Sequence, residues 1–266
     1  MAVLAVQVRL LSWAQQTALN IRSARFFCFS TFFLLYLPIN TNSTPTMKTI
    51  LIVMLASMLV ACQGNNTPQK ATPITHSQTI TLTQPDLNAG ATINTALALR
   101  ASSRDYSTEP LSLEELSGVM WAAAGTNRPN GHLTAPSALA LYPVEVYAFM
   151  AEGVYRYNSA DHTLVRVVEG DHRKLSAAQD FAYEAPLNIV YVANLALFDN
   201  KGIDRVKAEL LSGQDAAGYA ENVNLYAAGN GLKAITRGSL RNAEVLTLLG
   251  KDDGNHAVAL AQTVGK

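Results

Sequence analysis

Cysteine is nearly absent from this chain, with two in 266 residues, and only Cys62 falls in the part expected to persist after processing. The histidines His76, His132, His162, His172 and His256 never stand at ligand spacing from one another, so the sequence offers no metal centre. No Gly-x-Ser-x-Gly elbow is present, which removes the usual serine-hydrolase nucleophile. A Walker loop and a Gly-x-Gly-x-x-Gly fingerprint are missing too, and with them the commonest phosphate cradles. Gly229-Asn230-Gly231 reads instead as a helix C-cap. Acidic residues are missing altogether from residues 1–61, which carry Arg9, Arg22, Arg25 and Lys48. Taking those four from the 20 basic residues leaves 16 against 20 acidic, a net of −4 for the rest of a formally neutral chain. Such a mildly acidic body lacks the basic stripe that a nucleic-acid partner needs.

What is present begins with a targeting pattern. Met47-Lys48-Thr49 precedes an apolar run over residues 50–59, and Leu59-Val60-Ala61-Cys62 closes it with small residues. This reads as a secretory signal peptide, and the run is too short to span a bilayer comfortably. Its ending resembles the bacterial lipoprotein box, which implies diacylation of Cys62 and cleavage before it. Gln63 at the next position implies, by the same resemblance, the outer membrane of a Gram-negative cell. Residues 1–46 are then expected to be an upstream extension outside the native protein, and residues 47–61 the signal peptide. Residues 62–91, rich in Thr, Gln, Asn and Pro and without periodicity, are expected to form a flexible tether. Within it, residues 79–82 can pair as a short edge strand. Residues 92–266 remain as the folded domain.

Hydrophobic spacing divides that domain into alternating elements. Ile93, Ala96 and Leu97 give helical spacing into Leu99-Arg100. Ser112 with Glu115 forms a capping box, and the helix behind it buries Leu113, Leu116, Val119, Met120 and Ala123 before stopping at Gly125, with Trp121 just off the stripe as a core anchor. Strands are expected over 144–150, 154–157 and 163–168 as a meander, then a short helix over 175–181. The almost continuous apolar run 187–193 reads as a buried central strand. Helices follow over 203–211, stopped by Gly213, and over 216–228. A strand at 232–235, a helix at 243–249 and a final strand at 257–264 complete the order. Grouped strands covered by helices make an α+β layered domain. The last strand is apolar and followed by nothing, and helix 216–228 is apolar on more than one side. Both are expected to need a second copy of the chain.

The chemistry concentrates in Arg100-Ala101-Ser102-Ser103-Arg104. Two guanidinium forks fit phosphate oxygens bidentately, hydroxyls between them add contacts, and on a helix positions four apart would share a face. Downstream stand Thr134-Ala135-Pro136-Ser137-Ala138, Tyr142-Pro143-Val144-Glu145-Val146-Tyr147, and Ala234-Ile235-Thr236-Arg237-Gly238.

In this order these segments resemble the nitroreductase-like family of FMN-dependent oxidoreductases. The Leu-Ser-x-Glu-Glu-Leu-Ser helix and the Pro-Ser-Ala…Tyr-Pro-x-Glu-Val-Tyr run are most similar to its thiazoline/oxazoline dehydrogenase branch. The resemblance covers residues 93–266. It implies a mixed sheet flanked by helices, in an interlocked homodimer whose two flavins are each contacted by both chains. It further implies that Arg100, Ser102 and Arg104, with the Ala101 backbone, hold the FMN phosphate and ribityl chain. Pro136, Ser137 and Ala138 would run along the isoalloxazine edge, and Arg237 and Gly238 would reach the flavin from the late turn. His132, in the loop before the Pro-Ser pair, is the histidine placed to touch a ligand. The cofactor performs the hydride chemistry, so no catalytic residue is assigned. The implied reaction moves a hydride from a small-molecule donor to an acceptor such as a quinone, a nitro-aromatic or a peptide heterocycle. The chain departs from the family at Leu139-Ala140-Leu141, where many members carry an asparagine, and it offers only Lys266 as a late phosphate contact. The alternative, from another class, is a non-catalytic flavin- or ligand-binding envelope lipoprotein that keeps the fold without turnover.

Overall fold

A two-faced sheet carries the domain, because the strand at its middle is apolar on both sides. The computed structural model describes residues 78–266; the upstream extension, the signal peptide, Cys62 and the first part of the tether lie outside the described residues. Seven strands are present: β1 (Thr79–Thr81), β2 (Val144–Met150), β3 (Gly153–Asn158), β4 (Thr163–Glu169), β5 (Leu187–Asn194), β6 (Lys233–Arg237) and β7 (His256–Gly265). They lie in the order β1-β4-β3-β2-β5-β7-β6, and every neighbouring pair is antiparallel. The parallel contribution is an isolated bridge from Ser102 to Ala234 on the outer edge of β6. The described residues include four α-helices: α2 (Leu113–Ala124) and α3 (Arg205–Gly229) cover one face and α4 (Asn242–Leu248) the other, while α1 (Ile93–Leu99) packs on α3.

Alternation along β5 divides the core. Leu187, Ile189 and Tyr191 pack with Leu116, Val119 and Met120 of α2 and with Tyr219 and Val223 of α3. Val190 and Val192 face the other way, with Tyr147, Phe149 and Val154, against Val245 and Leu246 of α4. The continuous apolar run of β5 is what a strand covered on both faces requires. The α2 capping box is present: the Ser112 side chain accepts from the Glu115 amide, and Glu115 accepts from the Ser112 amide. Gly118 lets α2 and α3 approach, since a Cβ there would overlap the Tyr226 hydroxyl.

Several expectations need correction. The helices expected over 203–211 and 216–228 are one 25-residue helix that runs straight through Gly213. A mid-helix glycine costs only about 1 kcal/mol relative to alanine, and burial of Ala208, Ser212 and Ala216 on either side carries the helix across. The short helix expected over 175–181 is two separate 3-10 turns, Arg173–Ser176 and Asp180–Ala182. The final strand is no exposed edge; β7 lies between β5 and β6. Ala216, Tyr219, Ala220, Val223 and Ala227 of α3 are likewise buried within the chain's own core. The end of the expected tether belongs to the domain: β1 pairs with β4, Ile80 and Leu82 are 7% and 4% exposed, and the Ala91 amide donates to the Gly229 carbonyl at 2.8 Å. This strap spans α2 as well, through the Thr83 amide to Ser117 Oγ at 2.9 Å.

His162 pins the strap to the β3–β4 turn. Its Nε2 lies 2.9 Å from the Thr83 carbonyl and its Nδ1 2.8 Å from the Tyr157 hydroxyl. A carbonyl only accepts, so Nε2 carries the hydrogen and Nδ1 accepts from tyrosine. Burial holds the imidazole below its ordinary value of 6.5, and the Thr83 carbonyl opposes this only in part. The unfolded chain therefore binds a proton first as pH falls, and stability drops between 6.5 and the lower folded value. Melting temperatures from pH 7 to 5 are expected to fall in the wild type and to be flatter in His162→Gln. Parallel curves would remove this histidine as the cause.

Candidate functional site

The opening motif is not helical. α1 ends at Leu99, Arg100 caps it with φ −57 and ψ 119, and the Ser103 amide donates to the Ala234 carbonyl at 3.1 Å. The chain has turned to run beside β6. Along an extended segment residues two apart share a side, so Arg100, Ser102 and Arg104 still align, by a different periodicity from the one expected. All three are exposed, as is Ala101. Neither guanidinium has a carboxylate partner among the described residues, and the Ser102 hydroxyl has none either. Nearby charges are already paired: Lys233 with Asp105 at 3.6 Å, and Lys266 with Glu109 at 2.7 Å and Glu115 at 3.4 Å. Lys266 is thus held by carboxylates rather than free for a phosphate. Ser103 turns aside, its Oγ donating to the Asp105 carbonyl at 3.2 Å. Tyr106 donates to the Ser103 carbonyl at 2.6 Å; burial pushes its hydroxyl up, against the opposing pull of Arg237 and Arg104. Two free guanidinium forks and a free hydroxyl on one side of an extended segment fit the phosphate end of a cofactor.

The Pro136, Ser137 and Ala138 segment is built differently. Ser137 Oγ donates to Asp215 Oδ2 at 2.5 Å, and the Ala138 amide donates to Asp215 Oδ1 at 3.1 Å. Ser137 Oγ in turn accepts from the Tyr142 amide at 2.8 Å. Between them Leu139, Ala140 and Tyr142 hold positive φ values of 55°, 53° and 48°. The left-handed region costs a non-glycine residue roughly 1–2 kcal/mol. A hydrogen bond to a charged group contributes about 1.5–3 kcal/mol, so the two on Asp215 offset that strain on the same scale. Asp215 is 6% exposed and has no cationic partner among the described residues. One helical turn on, the buried Tyr219 hydroxyl has no hydrogen-bond partner among the described residues; burial pushes it up, and Asp215 and Tyr142 add to the shift. His132 stands beside the same turn, its ring edge-on to Tyr142 at 5.8 Å. Asp215 went unrecognised in the sequence. The available signal was a carboxylate four residues before Tyr219 and eight before Val223, on the inward stripe of α3.

Arg237 behaves otherwise than expected from the late turn. It is 4% exposed, and its guanidinium donates to Thr263 Oγ1 at 2.9 Å, the Ser176 carbonyl at 2.9 Å and Asn188 Oδ1 at 3.1 Å. Burial brings it down to about 10, with Tyr106 opposing. Its side chain therefore ties β5, β6 and β7 to the turn at Ser176 and does not face outward. Gly238, next in the chain, is exposed, and a Cβ there would meet nothing within 4 Å, so its backbone is open to approach. Glu145 is also structural: it accepts from Lys251 at 2.8 Å and from the Tyr147 hydroxyl at 2.7 Å.

The Pro-Ser segment and α1 meet α3 at different points. Asp215 holds the Pro-Ser segment near the middle of α3, whereas α1 abuts the far end of that helix, with Ala96 3.5 Å from a Cβ placed on Gly229. Those points are 14 residues apart on α3, about 21 Å along its axis. A groove of about 770 Å³ opens between α1, α2, α3 and the strap, lined by Ile93, Trp121, Leu225 and Tyr226 among others. Trp121, expected as a core anchor, forms part of that lining. Ile93, Leu97 and Leu99 of α1 are exposed beside it.

Comparison with known proteins bears on the whole of this domain. Residues 97–266 match the model of the nitroreductase family. A nitroreductase homologue from Methanocaldococcus jannaschii is 32% identical over 167 residues, covering 58% of this chain and 81% of its own. The crystal structure of a nitroreductase homologue from Ralstonia eutropha superposes with a TM-score of 0.67 at 35% identity, over 72% of this chain and 90% of that one. A chain of the E. coli microcin synthetase McbBCD complex, with truncated pro-MccB17 bound, shares the fold at a TM-score of 0.54 and 17% identity, over 84% and 94% of the two chains. By sequence and by fold, this chain belongs to the nitroreductase family.

Proposed function

We propose that this protein is an FMN-dependent oxidoreductase that passes a hydride from a small-molecule donor, a peptide heterocycle among the candidates, to a small acceptor such as a quinone or a nitro-aromatic. Family membership makes it an oxidoreductase in general terms. The observation that carries the flavin reading is the free donor set of Arg100, Ser102 and Arg104 on one side of the segment beside β6. When bound, FMN supplies the hydride chemistry. The chain's own part is to hold and orient. Arg100 and Arg104 take the phosphate, Ser102 and the Ala101 backbone support the ribityl chain, and the backbone of Pro136, Ser137 and Ala138 lines the ring edge, with Gly238 the open position of the late turn. The likeness of the Pro-Ser-Ala and Tyr-Pro-x-Glu-Val-Tyr runs to the thiazoline/oxazoline dehydrogenase branch supports a peptide heterocycle as the hydride donor, because a dehydrogenase oxidises its heterocycle.

Loss of a charge-assisted phosphate contact should weaken binding roughly ten- to a hundredfold. Arg100→Ala and Arg104→Ala are each expected to lower FMN occupancy after dialysis while the melting temperature holds. Wild-type occupancy in both would make these arginines ordinary surface residues. Bound flavin without turnover of any donor and acceptor pair would favour the non-catalytic binding protein.

The working unit of this proposal is a homodimer. The family resemblance implies a flavin contacted by both copies, and the exposed Ile93, Leu97 and Leu99 of α1 supply an apolar contact. Light scattering after size exclusion is expected to return twice the chain mass for the flavin-bound protein. A monomer that retains FMN would sink the shared site.

Location follows from the lipoprotein-like box. A Cys62 lipid anchor would hold the domain in the cell envelope, facing the periplasm. Cys62→Ala is expected to move the protein from the membrane to the soluble fraction on fractionation; identical partitioning of both forms would exclude the anchor.

A further inference from the structure

We propose that Asp215 is a positioning residue for the bound flavin: its carboxylate holds the 136–142 turn so that the backbone N–H groups of Ser137 and Leu139 stand free as donors toward the ring. The inference rests on the reading that this turn lines the flavin edge, and it names the residue that shapes the turn and the atoms that shape presents.

Each amide of the turn can be accounted for. The Ala138 N–H donates to Asp215, the Ala140 N–H to the Ser137 carbonyl at 3.0 Å, the Leu141 N–H to the Ala138 carbonyl at 3.1 Å, and the Tyr142 N–H to Ser137 Oγ. The N–H groups of Ser137 and Leu139 have no acceptor among the described residues. Ser137 is half-buried and Leu139 is exposed, so the two free donors lie where the turn meets its surroundings. Donors of this kind favour the electron-rich, reduced form of a flavin ring.

A carboxylate suits this position better than an amide. Two donors, a hydroxyl and a backbone N–H, converge on its two oxygens; asparagine has one acceptor oxygen, so with that oxygen on the Ala138 N–H its NH₂ would donate to Ser137 Oγ and the hydroxyl would lose its charged acceptor. No lysine, arginine or histidine pairs with Asp215 among the described residues, so these donors are what balances its charge in the interior. The hold also acts against strain. Leu139, Ala140 and Tyr142 all lie at positive φ, where a non-glycine residue stays only when its surroundings enforce it. Released, they return to negative φ, and the Leu139 N–H changes direction with them.

The test uses the full chain with Asp215→Asn and Asp215→Ala, and Ser137→Ala to break the same bond from the other end should the buried substitutions fold poorly. Hydrogen exchange on the flavin-free protein reads the hold alone. Exchange at the Ala138 and Tyr142 amides is expected to quicken about tenfold or more in the variants, while the amides of β5 keep their protection. FMN affinity is expected to weaken about tenfold in Asp215→Asn and further in Asp215→Ala. The midpoint potential of the flavin that still binds is expected to fall, a readout that a merely structural aspartate would not move. Unchanged exchange at Ala138 and Tyr142, or quickened exchange with affinity and potential both unchanged, overturns the proposal. A wild type that takes up no FMN overturns the functional reading itself, and is told apart by the exchange result in the same protein.

Discussion

Burial of β5 on both faces is the constraint on which the rest of this structure depends. A strand with no solvent-facing side must be covered twice, by α2 and α3 over Leu187, Ile189 and Tyr191, and by α4 over Val190 and Val192. Its neighbours must then saturate its backbone, because an unpaired amide in that position has no water to turn to. β2 and β7 do so on either side. From this follow the interior placement of β7 and the inward stripe of α3. The outer edge of β6 stays free as the ledge beside which the arginine segment runs.

Polar groups in the interior serve the geometry of the surface. Among the described residues Arg237 has no carboxylate partner, yet its donors meet Thr263, Asn188 and the Ser176 carbonyl, so a cation is held by neutral acceptors across three strands. Asp215 is the converse, an anion held by a hydroxyl and an amide. Neither charge is neutralised by an opposite one, and each fixes a segment that local preference would leave elsewhere. A buried charge in this situation is costly unless its hydrogen bonds are complete, which makes these residues sensitive to small changes and the segments they hold well defined.

The strap over residues 78–91 shows how composition misleads. It is poor in apolar residues, but Ile80 and Leu82 both reach the core while Leu87 stays exposed, and His162, Ser117 and Gly229 take up its polar backbone. Averaged over thirty positions the segment reads as a tether; two side chains at strand spacing are enough to dock its last part. Gly213 misled in the same way. A glycine near a polar Ser-Gly-Gln stretch reads as a stop, and only burial of the helix on both sides of it outweighs the modest local cost.

Much of this protein was legible in its residues alone. The α+β layering, the capping box at Ser112 and Glu115, the central strand and the ordered set of Arg-Ser, Pro-Ser and late-turn segments depend on local propensity and on periodicity, which a sequence displays directly. Arg100 and Arg104 share a side in either geometry, since they are four apart in a helix and an even number apart in an extended chain, whereas Ser102 joins them only in the extended form. Which of those geometries applied was a tertiary decision, made by the pairing of Ser102 with Ala234. Tertiary structure alone likewise turned the Arg237 side chain inward, placed Asp215 under the Pro-Ser turn, and forced Leu139 and its neighbours to positive φ. Each of these joins residues distant in sequence, from 26 positions between Arg237 and Thr263 to 78 between Ser137 and Asp215. Local preference carries no record of such partners; they are selected only when the buried faces of the sheet bring the segments together.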